Sequence, residues 1–531
     1  MSRFSSRFLG LDSSTQSLSA VIIDADTGAV VANHSVAFGQ RLPAYGSPHG
    51  FLPDADPRVV HSDPLMWVEA LDLLLSELRE QGVELSRVSG ISGAGQQHGS
   101  VYLAKSFDEA GTFSAEVPLA AQVAPLLSRR TAPIWMDSST GAECAEIAAA
   151  VGGDARVSAL TGSRAIERFT GPQIRRFWKH HPAEYERTAE IHLVSSFMAS
   201  LLVGRSAPID LGDGAGMNLL ELATGQWSTA MLDATAPGLG SKLRGPVPAA
   251  TTVGVIAPYF VKKYGFAAGT PVVAFTGDNP SSLVGMGAAL PGKVVVSLGT
   301  SDTIFAAMAA PRTDPRGYGH VFGNPAGGFM ALVCFANGSL AREEIAQRFG
   351  LGWEAFANAV LKETRPGNDG NLLLPFFTPE ITPRLSAPAV QWFGSAEFEA
   401  GRAPAAAARA VVEAQALSMR LHAAFIGEAI DTLLITGGAS RNAGIMQVLA
   451  DVFQARIMPL AVSNSSALGA ALRAAAAVGG AGWNDLFARF CAPDAANAVE
   501  PDPATRRVYE DLGQKFDLRV EAVVASVFVK G

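Results

Sequence analysis

Two stretches far apart in the chain carry the same pattern, and that repeat constrains the fold more than any other feature of the sequence. FLGLDSSTQSLSAVIID near the start and VVVSLGTSDTIFAA at residues 294–307 each read as an apolar strand, a small polar turn and a second apolar strand. Asp12-Ser13-Ser14-Thr15 lines up with Ser297-Leu298-Gly299-Thr300. A repeat this distant implies two related α/β domains. They join where Gly and Pro concentrate, in GMGAALPGK at residues 285–293. We therefore expect one domain over residues 1–288 and another over 289–531, facing each other across a cleft.

The intervening sequence agrees with an α/β class. The chain opens as a meander, and PLMWVEALDLLLSELRE at residues 64–80 then has helical apolar spacing. VSGISGAGQQHGSVYL reads as strand, Gly-rich turn and strand. Later, residues 406–426 read as an Ala-rich helix. TLLITGGASRNAGIMQVLADVF reads as a strand, a Gly-Gly turn and a helix whose Ile445, Val448, Leu449, Val452 and Phe453 form a core-facing stripe. Residues 104–130 and 362–405 look like longer surface excursions, and the tail closes with a helix.

Composition excludes several classes of function. A net charge of -8, with no Lys/Arg cluster among aromatics, gives no face for nucleic acid. No apolar run approaches the ~18 residues of a membrane span. The start reaches Asp12 too soon for a signal-peptide core, and Cys144, Cys334 and Cys491 have neither metal nor disulfide spacing. These features point to a reduced, cytoplasmic protein.

VVAFTGDNPSS, residues 272–282, poses the chemical question, because an apolar strand there ends in glycine and then a single acid, Asp278. One reading is an acid capping a helix that begins near Pro280; the other is a carboxylate placed for proton transfer. The DSSTQS and SLGTSD turns can gather backbone N–H groups and hydroxyls around an anion. Each alone reads equally as hairpin chemistry. Asp12 is either an Asx-turn acid or a carboxylate for Mg²⁺. In TGGASRNAG, Gly437, Gly438 and Ala439 either make a tight turn or leave room for a nucleotide. His98, Arg168 and Trp135 each have structural readings, Trp135 as core, and Asp137 stays undecided. No P-loop or dinucleotide spacing is present, in GAGQQHG and GDGAG included.

Taken together and in order, FLGLDSSTQS, GAGQQHGS, PIWMDSST, LTGSRAIERFTG, VAFTGDNPSS, SLGTSDT and TGGASRN resemble the FGGY carbohydrate kinases, nearest to the long type of their xylulokinase branch. The resemblance implies two ribonuclease-H-like domains of the actin/hexokinase/Hsp70 ATPase superfamily flanking a cleft. It implies ATP-dependent phosphorylation of D-xylulose, with another ketose or polyol, or a silent sugar sensor, as alternatives. Gln97, His98, Arg168, Asp278 and Asn279 would contact the sugar, Asp278 as general base. ATP would meet Asp12, Ser13, Ser14, Thr15, Gly299, Thr300, Ser301, Trp353, Gly438, Ala439 and Asn442, and Asp12 would serve Mg²⁺. A homodimer is kept open. The chain departs from many relatives at Ser14, Gln97, Ser139, Thr140 and Gln173, which bears on sugar choice and phosphate geometry.

Overall fold

The computed structural model describes residues 6–528. It divides into two compact units. One holds the chain up to Ala289 together with Val321–Met330 and Ser463–Ala492; the other holds Leu290–His320, Ala331–Val462 and the chain from Pro493 onward. The expected single boundary at 288/289 is therefore replaced by an interleaved division. The two later segments carry no local sign of the sheet they belong with, because that is decided by long-range packing.

In the first unit, Arg7–Ser13 lies at the middle of a sheet, antiparallel to Ser17–Asp24 and parallel to Val88–Gly95. Asp12 pairs with Ala94, and Ala94 pairs with Thr276. Three strand ends thus share one edge of the sheet, the crevice side where α/β proteins place ligands. The helix Pro64–Glu80 forms as read, with Asp63 accepting the Leu65 N–H at its start and Pro64 in its first turn. Trp67, Leu71, Leu74, Leu75 and Leu78 form its buried face.

The helix Ser465–Gly479 covers this sheet and crosses the helix Asp278–Gly285 at backbone contact. A Cβ on Gly469 would lie 1.9 Å from the Ser281 carbonyl oxygen, and one on Gly285 1.8 Å from that of Ser465. Only glycine permits this approach, which explains the small-residue sequence SSALGAAL. Arg473 of the same helix is buried and donates to the carbonyls of Gly93, at 3.0 Å, and Ala274. Asp278 therefore starts a helix that cannot slide.

The second unit repeats the arrangement. Lys293–Leu298 is antiparallel to Asp302–Met308 and parallel to Thr432–Thr436, with Ser297 opposite Thr436 as Asp12 is opposite Ala94. The Ala-rich helix runs over Pro404–Ala423, begun by Pro404, and Ala443–Phe453 buries the expected stripe with Phe453 at its margin. The closing helix is Arg506–Phe528. Among the described residues no helix is long and apolar enough to cross a membrane.

Candidate active site

Asp278 does not cap a helix beginning near Pro280. The helix begins at Asp278 itself, directly after Gly277. Its Oδ1 accepts the Asn279 N–H at 2.8 Å, the Asn279 side-chain amide at 3.1 Å and the Gln97 N–H at 3.4 Å. Burial pushes this carboxyl up to about 6, with the N–H groups of Asn279 and Gln97 holding it from rising further. Asn279 Nδ2 also donates to Gln97 Oε1 at 2.9 Å, so the three side chains form one network.

His98 follows in the same turn and adopts a left-handed φ of 71°, which is uncommon for a residue other than glycine. Its Nδ1 lies 2.7 Å from the Gly216 carbonyl, and its ring stacks on Phe169 at 4.2 Å. Burial, then the charge of Arg168, pushes its pKa down to about 3. The imidazole is thus neutral, with Nδ1–H donating to Gly216, which leaves Nε2 as an acceptor. Arg168 lies 6.0 Å over the Phe169 ring. Gln97, His98, Arg168, Asp278 and Asn279 are accordingly brought together within the first unit.

The segments behind them account for two departures. Gln173 donates to Asp137 Oδ1 at 2.7 Å and to the Glu167 carbonyl at 3.1 Å, and Thr140 also donates to that carbonyl, next to Arg168. Asp137, undecided from sequence, accepts from Val60 N–H, Ser139 N–H and Ser139 Oγ. It is a buried organiser. Trp135 contradicts the core reading: it is 43% exposed, with its indole N–H donated to Thr15 Oγ1 at 2.8 Å. An indole with a polar tip needs a partner and finds it at the rim rather than the interior.

Sequence reasoning missed Asp210 and Asp213. Asp210 Oδ1 accepts the Asp213 N–H at 2.8 Å, and Ser195 donates to Asp213 Oδ2 at 2.5 Å. Both acids are fully buried. Asp213 is pushed well above the carboxylate range, by burial first and then by Asp210 and Asp278. The same loop supplies the Gly216 carbonyl to His98. The signal in the sequence is IDLGDGAG, two acids among glycines.

Asp12 suits a cation. Its Oδ1 is buried without a hydrogen-bond partner, and burial followed by the charge of Asp278 pushes the carboxyl up to about 7. A buried carboxylate oxygen left without a donor is costly unless something positive arrives. Among the described residues no three His, Cys, Asp or Glu side chains form a metal cluster. One carboxylate with water and phosphate oxygens is still a sufficient donor set for Mg²⁺. The Ser14 hydroxyl turns back to the Ser17 carbonyl at 2.9 Å.

In the second unit, Gly299, Thr300, Trp353, Gly438, Ala439 and Asn442 line a cavity of about 740 Å³, within the range of small-molecule sites. Trp353 is half-exposed at the start of a short helix. Gly437 follows the tight-turn reading: with φ of 96°, a Cβ there would lie 2.2 Å from the Leu298 carbonyl oxygen, whereas Gly438 is open. Asn442 has a structural task as well, accepting the N–H groups of Gly444 and Ile445 as a helix cap while Nδ2 reaches the Trp353 carbonyl at 3.3 Å. Ser301 is exposed and stands outside the lining.

The chain matches the N-terminal domain of the FGGY family of carbohydrate kinases over residues 118–285 and the C-terminal domain over 294–478. It belongs to that family. An FGGY carbohydrate kinase transfers a phosphoryl group from ATP to a sugar, and its domains have the actin/hexokinase ATPase fold that the repeated sheets display. The chain is 44% identical to the xylulose kinase of Rattus norvegicus over 514 residues, covering 95% of this chain and 94% of that protein. It is 42% identical to xylulose kinase 2 of Arabidopsis thaliana, covering 88% and 87%. The crystal structure of xylulose kinase from Rhodospirillum rubrum, 24% identical, superposes with a TM-score of 0.82 over 98% of this chain and 99% of that one. That likeness speaks to FGGY fold alone.

Proposed function

We propose that this FGGY kinase phosphorylates D-xylulose at its terminal hydroxyl to give D-xylulose 5-phosphate and ADP. The observation that carries the reading is Asp278, a half-buried carboxyl poised near 6 and locked to Asn279 and Gln97 beside a neutral His98. The identity of the relatives, xylulose kinases at 42–44% over nearly the whole chain, supports the choice of sugar.

Asp278 takes the hydroxyl proton as that oxygen attacks the γ-phosphorus and the bond to ADP breaks. A positioned base contributes about 10²- to 10⁴-fold. Because phosphoryl transfer asks little covalent work of a protein, the remaining residues orient and neutralise. His98 Nε2 accepts from a sugar hydroxyl, Arg168 donates to a sugar oxygen, and Asn279 fixes the direction of the Asp278 carboxyl. Asp12 is the residue that would hold Mg²⁺, which when bound offsets charge on the phosphoryl oxygens. Gly299, Thr300, Gly438 and Ala439 receive the nucleotide, with Trp353 against its base.

A coupled ADP-release assay with D-xylulose, D-ribulose, L-ribulose, glycerol and xylitol tests the reading. We expect the highest kcat/KM with D-xylulose. A higher value with another sugar reassigns the substrate, and release of no ADP with any of them contradicts the reading.

A further inference from the structure

Thr15 stands in the turn to which the resemblance gives a phosphate role, yet its hydroxyl is already engaged. It accepts the Trp135 indole N–H at 2.8 Å and lies 3.5 Å from Gln96 Oε1, to which it is the donor. The turn is held from other sides too. Ser14 donates its N–H at 3.0 Å and its hydroxyl at 2.9 Å to the Ser17 carbonyl, and the Thr15 carbonyl lies so near Gly50 that a Cβ there would come within 1.8 Å.

Both ends of the Thr15 contact are rigid. Residues 134–137 are fixed by Ile134 N–H to the Val60 carbonyl at 3.1 Å, by Asp137 N–H to Ile134 at 2.9 Å and by the buried Asp137 carboxylate. Gln96 is buried and donates its N–H to the Ser13 carbonyl at 2.9 Å. The next residue, Gln97, is the one that binds Asp278 and Asn279. The Thr15 hydroxyl therefore joins three segments: the platform bearing Trp135, the turn bearing Asp12 and the strand end bearing Gln97. An indole left 43% exposed contributes less by burial than a core tryptophan, so its N–H is the group that ties it to the turn.

We propose that Trp135 and Thr15 are positioning residues: their hydrogen bond clamps the Asp12 turn to the Trp135 platform and holds the Thr15 hydroxyl beside Gln96, at the strand end that binds Asp278. This rests on reading Asp12 and Asp278 as the groups that face the reacting atoms.

Trp135→Phe removes the N–H and keeps a ring, Thr15→Val removes the hydroxyl and keeps the shape, and the double variant completes a cycle. Losing one neutral hydrogen bond corresponds to about a two- to ten-fold change. We expect each single variant to lower kcat by that factor, the double variant to lose no more than either single, and KM for the ketose to stay within about two-fold. Additive losses overturn the proposal. So does a silent Trp135→Phe beside a Thr15→Val that raises KM for ATP, since the hydroxyl would then meet the nucleotide. A raised ketose KM at unchanged kcat in Trp135→Phe also overturns it, placing the ring against the sugar. A readout without turnover separates this inference from the functional reading. The chain has 7 Trp, and the Trp135 indole N–H resonance, identified by its loss in Trp135→Phe, should shift in Thr15→Val even if no ketose is phosphorylated. An unmoved resonance refutes the clamp.

Discussion

The two strand–turn–strand copies share a topology and differ in what they do with an acid. In the first, Asp12 is the next-to-last residue of its strand, and its Oδ1 is buried without a partner. In the second, Ser297 takes that place and the acid is Asp302, directly opposite Leu298 across the turn. Asp302 is held by both terminal nitrogens of a buried Arg342, at 2.7 and 3.0 Å, and Arg342 donates again to Gln415 at 2.9 Å. One copy invests its carboxylate in structure; the other leaves an oxygen unsatisfied. A repeated turn therefore supplies the scaffold, and the copy whose acid has no ion-pair partner is the one we propose for the cation.

That contrast can be broken by exchanging the effects of the two acids. Asp302→Asn strips the charge from a buried pair and should cost about 3–5 kcal/mol of stability by leaving Arg342 uncompensated; denaturant unfolding measures it, and an unchanged midpoint would erase the distinction. Asp12→Asn should reverse the pattern. Asp12 has no ion-pair partner to orphan and only the Ser466 hydroxyl beside it, so stability should hold within about 1 kcal/mol, while kcat falls by about 10²-fold or more and the Mg²⁺ requirement increases. A folded Asp12→Asn enzyme with normal Mg²⁺ dependence would put Asp12 in the structural class with Asp302.

The pH dependence sharpens the same contrast. Asp278 is raised to about 6, so it is ionised above that pH and protonated below it. The ability to accept the sugar proton is lost as pH falls, and kcat/KM should drop about ten-fold per unit below 6. Asp12 is raised to about 7, so a proton there would compete with Mg²⁺ if Asp12 holds the ion as proposed. Titrating Mg²⁺ at pH 6 and pH 8 should therefore show the weaker apparent affinity at pH 6. Equal affinities would argue that Asp12 does not meet the ion. The smallest effect belongs to the second unit: Trp353→Ala should raise KM for ATP about five-fold, near the low end for base stacking on an aromatic ring, because half of this one is open to solvent. An unaltered KM would argue that Trp353 does not contact the nucleotide.

Much of this was legible before any coordinates. The repeat declared itself because β-branched runs around a small polar turn have few other meanings, and the strand registers bear it out. Helix Pro64–Glu80 was readable to the residue since Asp63 and Pro64 mark its start. His98, Asp278 and Asn279 stood next to glycine turns at strand ends, where α/β folds expose side chains. What stayed hidden depended on contacts between distant segments. Nothing in SSALGAALRAAAA says which sheet it covers, although its glycines foretell close packing. Asp213 was invisible as a neighbour of Asp278 because the loop that carries it folds back to lend Gly216 to His98. Trp135 reads as core from the sequence, but its N–H finds its partner, Thr15, only through the fold.

The central claim is that Asp278 is the base. Its most direct test is steady-state turnover of Asp278→Asn with D-xylulose and ATP, beside calorimetric binding of the sugar. The account predicts bound sugar, a native unfolding transition and turnover reduced by about 10²- to 10⁴-fold. Turnover within a few-fold of the unaltered enzyme would contradict it.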